Sequence, residues 1–328
     1  MQLLVTGADG LLGSNIVRVA LEKGYKVRVF VLPDSPSRTL DGLPIERVEG
    51  NLLNKEEVHR AVKGCDYVIH AAANTNVWPS RGEIYWKVNY EGTRHVAEAC
   101  EAEGVKRLVV IGSAASFPCG TKEHPADESV PMADTGYGLD YIASKRKAQE
   151  YILQRVREAG LPALIVCPTF MFGPYDSKPS GGAMIVGVVK RQAPGYPVSG
   201  GKNFVHARDV AVAAVNGLTK GRIGEIYIAG NENLSYKEVF EKMGNIAGVK
   251  PPALPMPSFV LLAVGRLGSF FGRLFGFQPK ITLPMARVAC DGQYFSAEKA
   301  RRELDMPATP IEEAIEEAIE WMKEEGML

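Results

Sequence analysis

Cysteine is scarce: Cys65, Cys100, Cys119, Cys167 and Cys290 are scattered through 328 residues, odd in number and without CxxC spacing. This argues against a disulfide framework or a thiolate metal site, so the expectation is a reduced, cytoplasmic chain with no metal. Neither sign of charge is in excess, because Lys+Arg and Asp+Glu both total 38. A formal net charge of +0 implies no broad basic surface, and no nucleic-acid partner is expected. Repeats and low-complexity segments are missing, and so is a basic-then-apolar leader, since a strand-like run occupies residues 3–5. Long hydrophobic runs are rare as well. The exception is residues 258–277, rich in Phe and Leu, with Arg266 and Arg273 its only charges and Gly265, Gly268, Gly272 and Gly276 interrupting it. That run is too broken and short to read as a membrane span.

What is present begins at once. Leu3-Leu4-Val5 is a short apolar run of the kind that suits a parallel strand buried on both faces. Thr6-Gly7-Ala8-Asp9-Gly10-Leu11-Leu12-Gly13 follows, with glycines at three-residue intervals. Helical spacing then runs to Leu21, Gly24 ends it, and Val27–Val31 reads as a second strand. In such a βαβ unit the glycines allow a tight turn that brings backbone N–H groups and a helix N-terminus against phosphate oxygens. Strand and helix signals go on alternating: Val68–Ala72, a helix from Val88 to Glu103, Leu108–Ile111, a helix carrying Tyr141, and Ala163–Val166. The alternation predicts an α/β fold, a Rossmann-type doubly wound parallel sheet with ligands at the carboxyl ends of its strands. Beyond Pro168 the order loosens, and Pro and Gly cluster at 173–182 and 194–201, as in binding loops carried by a rigid sheet. The expected division is a dinucleotide-binding domain over 1–168, to which 204–230 returns, and a smaller C-terminal substrate lobe over 169–328.

Tyr141 and Lys145 are four apart and share one helix face. A free phenol, with a pKa near 10, transfers protons poorly at neutral pH, and a nearby ammonium lowers that value. Ser113 follows a strand, where its hydroxyl can hold a substrate oxygen. The chemistry these groups suit is hydride transfer between a nicotinamide and a carbonyl carbon. Tyr141 donates the proton, Ser113 orients the oxygen, and Lys145 tunes Tyr141 while binding a ribose hydroxyl. Run backwards, Tyr141 is the base.

Together these residues resemble the extended short-chain dehydrogenase/reductase superfamily, also called the NAD-dependent epimerase/dehydratase superfamily, over nearly the whole chain. Thr6, Gly7, Asp9, Gly10, Leu11, Leu12 and Gly13 look like its nucleotide loop. His70-Ala71-Ala72-Ala73 resembles its segment along the cofactor, and Asn89 its structural asparagine. Ser113, Tyr141 and Lys145 fall on its catalytic triad. Pro168 and Gly173-Pro174 resemble its nicotinamide-flanking loop, and Phe204-Val205-His206 with Asp209 a late motif. The resemblance is closest to the dihydroflavonol-reductase and 3β-hydroxysteroid-dehydrogenase branch, and extends to bacterial proteins named hopanoid-associated sugar epimerases. Dehydratases carry Thr-Asp-Glu at the serine position, where this chain has Ala114-Ala115-Ser116. Epimerases carry Arg-Asp-Phe where this chain has Lys202-Asn203-Phe204.

The resemblance places the acidic marker for NAD at Val31 and the arginine of the reductase branch at Leu32, so both markers are missing. With Arg38, Ser35 and Ser37 nearby and no acid on the strand end, the lean is to NADP over NAD. Asn51 and Leu52 are expected on the adenine side. Trp78, Phe117, Met171, Phe172, Tyr175 and Met184 form an apolar inventory for a substrate wall. The leading expectation is an NAD(P)-dependent reductase or dehydrogenase of a mostly apolar small molecule. The alternatives are a nucleotide-sugar 4-epimerase with tightly held NAD, and a dinucleotide-binding protein without catalysis. A homodimer through the helices from Val88 and Tyr141 is implied by the resemblance. Residues 258–277 read either as one or two helices covering the substrate lobe, the favoured reading, or as an interfacial segment that admits a lipophilic substrate or touches a membrane. Ile311–Met322 has the spacing of a packed amphipathic helix.

Overall fold

The computed structural model describes all 328 residues. The first half runs β1 (Gln2–Thr6), α1 (Leu11–Glu22), β2 (Lys26–Val31), β3 (Glu46–Glu49), α2 (Lys55–Val62), β4 (Tyr67–His70), α3 (Glu83–Tyr85), α4 (Gly92–Glu103), β5 (Arg107–Ile111), α5 (Asp140–Ala159) and β6 (Ala163–Pro168). A π-helical turn at Trp86–Glu91 joins α3 to α4. The second half runs β7 (Phe170–Phe172), α6 (Gly182–Val189), β8 (Gly195–Pro197), β9 (Gly201–His206), α7 (Ala207–Asn216), β10 (Ile226–Ala229), β11 (Glu232–Ser235), α8 (Tyr236–Ala247), β12 (Leu254–Met256), α9 (Ser258–Phe275), α10 (Leu283–Cys290), β13 (Gly292–Gln293), α11 (Glu298–Leu304) and α12 (Ile311–Glu324).

Seven strands form one sheet in the order β10-β6-β5-β4-β1-β2-β3, with every pairing parallel. The order reverses between β1 and β4, which opens a crevice at their carboxyl ends. Successive strand residues point to opposite faces, and the core divides accordingly. Leu3, Val5, Val29, Ile69, Val109 and Val166 pack under α1 and α7, whereas Leu4, Val68, Leu108, Val110 and Ile165 pack under α2, α4 and α5. The expected doubly wound parallel sheet is therefore present. The sequence reading omitted β3, an edge strand reading Glu-Arg-Val-Glu in which no residue is buried.

The second half builds a lobe around β9, which pairs with β7, β11 and β13. Phe172 and Phe204 stack at 5.4 Å and share a core with Val239, Met243, Ile315 and Ile319 from α8 and α12. The buried face of α12 is Ile311, Ala314, Ile315, Ala318, Ile319 and Met322, as its spacing predicts. Phe204 thus sits in the lobe, and the chain rejoins the main sheet through α7 and β10. A second return was not foreseen: Ala297, Ala300, Leu304 and Met306 pack into the core under α1 and α7. Leu304→Ala removes a side chain with 0% exposure from that contact. The expected cost is about 2–5 kcal/mol in equilibrium urea unfolding, with the whole chain losing stability together and not α11 alone.

Candidate functional site

The glycine loop after β1 is built by close backbone approach. Gly7 has φ +65°, and a Cβ there would lie 2.6 Å from the Ala72 backbone; a Cβ on Gly13 would strike the Gly7 carbonyl oxygen. Glycine at both positions lets β1, the start of α1 and the segment after β4 close into one cradle. Gly10 caps α1 without any side-chain hydrogen bond, and the first turn of the helix carries no acid. Its free amides and positive dipole end therefore face the crevice.

Along the crevice runs a cleft of about 400 Å³. Gly7, Asp9, Gly10, Leu11, Leu12 and Gly13 line it at the glycine loop, with Asn51, Leu52, Ala71, Ala72 and Ala73 along it and Ser113, Tyr141, Lys145, Pro168 and Met171 at the far end. An anion-accepting helix end, a groove that only glycine leaves open and a titratable cluster at the other end fit a dinucleotide. Three residues expected to bind the cofactor lie off this wall. Arg38 is exposed on the turn beyond β2. Thr6 and Asn89 are buried and hydrogen-bonded to protein groups.

Those two belong to a buried polar chain whose proton directions can be assigned. Thr93 Oγ1 donates to the Asn89 carbonyl at 2.7 Å, so it can only accept from His70 Nε2 at 3.0 Å. Burial and the Lys145 charge hold the His70 pKa down to about 3, so the ring is neutral and Nδ1 carries no proton. Thr6 Oγ1 therefore donates to Nδ1 at 2.7 Å and accepts from the Ala72 amide at 3.3 Å. Asn89 continues the chain, receiving the Asn74 amide at 2.7 Å and donating to Ser144 Oγ at 3.0 Å. Thr6, His70, Asn89 and Ser144 thus set the segment 71–74 and α5 against β1.

On α5 the inward stripe is Tyr141, Lys145, Gln149 and Ile152, and three of these four side chains are polar. Gln149 Oε1 accepts the Ser113 amide at 2.6 Å and the Cys167 thiol at 3.1 Å, which fixes Ser113 at the end of β5. Tyr141 and Ser113 line the same end of the cleft, so the two expected partners are brought together. Burial raises the phenol's pKa, and the nearby Ser113 side chain partly opposes the rise. The expected depression by Lys145 is not what the geometry gives. Its ammonium turns to the Ile111 carbonyl at 2.5 Å, and burial lowers its own pKa to about 8.

Of the six apolar residues expected to form a substrate wall, Met171 lines the cleft. Phe117 and Phe172 are core residues, at 2% and 0% exposure. Tyr175 lies over the Arg18 guanidinium at 3.6 Å and against Trp321, and Met184 packs on the lobe core. Trp78 is half-buried ahead of Pro79, off the cleft wall. The apolar cluster beside Tyr141 is instead the buried Tyr137, Leu139 and Ile142 with the partly buried Val77, Ala115 and Val288. Only its contiguity in space reveals it, because these six come from four separate segments. The loop after β7 also closes on the cleft: the Asp176 carboxylate accepts the Ser180 and Gly182 amides at 2.9 Å, and Asn15 Nδ2 donates to the Pro174 carbonyl at 3.2 Å.

Comparison with known proteins agrees with this arrangement. Residues 3–230 match the family described as NAD dependent epimerase/dehydratase. A Synechocystis protein provisionally named dihydroflavonol 4-reductase is 30% identical over 98% of this chain and 94% of its own length. The sterol demethylase protein B of Methylococcus capsulatus is 30% identical over 100% of both. Among solved structures, that of gox2253 is 34% identical and superposes with a TM-score of 0.87 over 99% of each chain. The chain is a member of the NAD-dependent epimerase/dehydratase family, an NAD(P)-dependent oxidoreductase of the extended short-chain dehydrogenase/reductase type.

Proposed function

We propose that this enzyme interconverts a carbonyl and a secondary alcohol on a mostly apolar small molecule. The observation that carries the reading is the meeting of Ser113 and Tyr141 at one end of the cleft, beside the apolar cluster around Ile142 and Val288. When bound, the nicotinamide supplies or accepts the hydride. The protein's part is then proton handling and position. Ser113, held by Gln149, offers a hydroxyl to the substrate oxygen. Tyr141 gives its proton to that oxygen in reduction and takes it back in oxidation. Its raised pKa keeps the phenol loaded with a proton at neutral pH, which suits the reductive direction. The Lys145 ammonium, which donates to the Ile111 carbonyl and lines the same end of the cleft, is placed to bind a ribose hydroxyl of the cofactor.

Lys202 counts against a sugar nucleotide. It stands where epimerases carry their diphosphate-facing arginine, yet it is buried, bonded to Gln293 and set over the Phe170 ring at 5.3 Å. The names of the two curated relatives, a dihydroflavonol reductase and a sterol-demethylase component, support a hydrophobic polycyclic or lipid-like substrate. For the cofactor we favour NADP, because β2 ends in Val31-Leu32 with no carboxylate and the exposed Arg38 side chain is free to reach a ribose phosphate. We place the enzyme in the cytoplasm, where its five unpaired cysteines persist as thiols. We propose a homodimer through the outer faces of α5 and of the π-helical turn with α4 that follows it, where Tyr90 and Tyr151 of one chain pack edge to face at 6.1 Å.

Tyr141→Phe is expected to lower kcat by about 10²–10⁴-fold in NADPH oxidation with a panel of hydrophobic ketones. Its NADPH dissociation constant, read by fluorescence titration, should stay within about twofold of the parent's. Parental turnover in this variant would remove Tyr141 from the chemistry.

Lys145 is charged below its pKa of about 8 and neutral above it. Reductive kcat/KM should accordingly hold level through neutral pH and fall as pH passes about 8, with Lys145→Arg moving the fall to higher pH.

Arg38→Ala should reduce kcat/KM for NADPH about tenfold, the scale of one charged contact, and leave that for NADH unchanged. Equal losses with both cofactors would remove Arg38 from the choice.

A further inference from the structure

Helix α9 is packed inside out. Its buried positions are Leu261, Gly265 and Gly272, whereas Phe259, Leu267, Phe270, Leu274 and Phe275 are 57–73% exposed. The glycines admit a close neighbour. A Cβ on Gly265 would stand 2.8 Å from the Ala286 Cβ on α10, and one on Gly268 would strike the Ile281 carbonyl oxygen. Ser269 Oγ receives the Leu283 amide at 2.8 Å, which clamps the two helices further. The small face is therefore occupied by the protein's own chain, and the large aromatic face is held outward. The rings make contact among themselves, with Phe270 and Phe271 edge to face at 5.3 Å and Phe271 and Phe275 stacked at 6.0 Å.

Charge says what covers this face. In a chain with 38 acidic residues, positions 251–290 contain none, and their charges are Arg266, Arg273, Lys280 and Arg287, all exposed. Arg266, Phe270 and Arg273 follow one another at helical spacing, so cationic heads and apolar rings share one stripe. Long arginine stems can lie along an apolar layer with their heads in a polar anionic one. A second copy of this chain would bring the same four positive charges against them.

We propose that the α9–α10 hairpin is a docking surface for an anionic lipid membrane, with α9 lying in the plane of the interface. The helix meets the length and composition of a membrane span, with a mean hydropathy of 1.4. Its glycine face, however, is clamped along the turn and α10, so it lies on the bilayer and does not cross it. The segment rests on α10 and turns its apolar face away from the protein, which favours the interfacial reading of 258–277 over that of a cover for the substrate lobe. Val288 of α10 belongs to the apolar cluster beside Tyr141, so the hairpin joins the docking face to the mouth proposed for the substrate.

The test is flotation of the full-length protein with phosphatidylcholine vesicles, with and without about one-third phosphatidylglycerol, combined with light scattering in the absence of lipid. The expected result is binding to the anionic vesicles at least about tenfold tighter than to the neutral ones, weakening with added salt. Phe270→Glu/Leu274→Glu should lose that binding, and Arg266→Glu/Arg273→Glu should lose its dependence on phosphatidylglycerol. Both variants should keep the parental circular dichroism and affinity for NADPH, since these side chains are exposed. No binding to either vesicle, or binding unaltered in both variants, would overturn the proposal. So would a parental dimer that becomes monomeric in the Phe270→Glu/Leu274→Glu variant without any lipid binding, which would assign the face to a second copy. No readout here uses turnover, so failure would leave the proposed reaction standing.

Discussion

A neutral imidazole at the end of a central strand sets the geometry of the whole crevice. His70 has one ring nitrogen that accepts and one that donates, and each is bound to a threonine hydroxyl on a different element. Because Thr93 spends its only proton on the Asn89 carbonyl, the direction of every bond back to the Ala72 amide is determined. The result is a continuous set of contacts joining β1, the segment after β4, the start of α4 and the start of α5. The glycine cradle needs segment 71–73 in place, and Tyr141 needs α5 in place. A single polar chain, out of water and fully partnered, positions both.

This explains why the dinucleotide cleft and the proposed Ser113–Tyr141 pair share one frame although they come from different halves of the sheet. Ser113 is fixed by a second device, the Gln149 side chain reaching back from α5 to its amide. The first device meets α5 at Ser144 through Asn89, and the second runs from Gln149 on α5 to Ser113 beyond β5, so the helix is tied at two points to the elements that carry the other site residues. Preorganisation of this kind is what the proposed proton transfer at Tyr141 would draw on, because the groups around it are already in place.

Much of this was legible in the chain. Short apolar runs marked β1, β2, β4, β5 and β6, because strands covered on both faces must be apolar at nearly every position. β3 escaped for the converse reason, since an edge strand half in water carries Glu and Arg. The glycine loop and the serine, tyrosine and lysine all reach the cleft, because spacing along a turn or helix is a local property. The aromatic inventory failed where locality ends. Phe117 and Phe172 are as apolar as any pocket residue, and nothing in their neighbours along the chain says that they face a core. Three polar residues on the inward stripe of α5 were the overlooked clue to Gln149. Glycines at 265, 268 and 272 were the clue that α9 buries its small face.

The lobe is not hung from the sheet by a single connection. The chain passes from lobe to sheet at His206, back after Ala229, and to the sheet side again at Ala297 before α12 closes the lobe. The Asn203 amide and Phe295 carbonyl meet across these crossings, and Gly120 and Ala126 bridge to Tyr294 and Phe295. A unit sewn down along several seams is held to the sheet at each of them. Beside the cleft, the span from Pro174 to Gly181 is tied to Asn15 at its start and folded on itself by the Asp176 carboxylate, so a ligand in the cleft meets a wall that the chain has already braced from within.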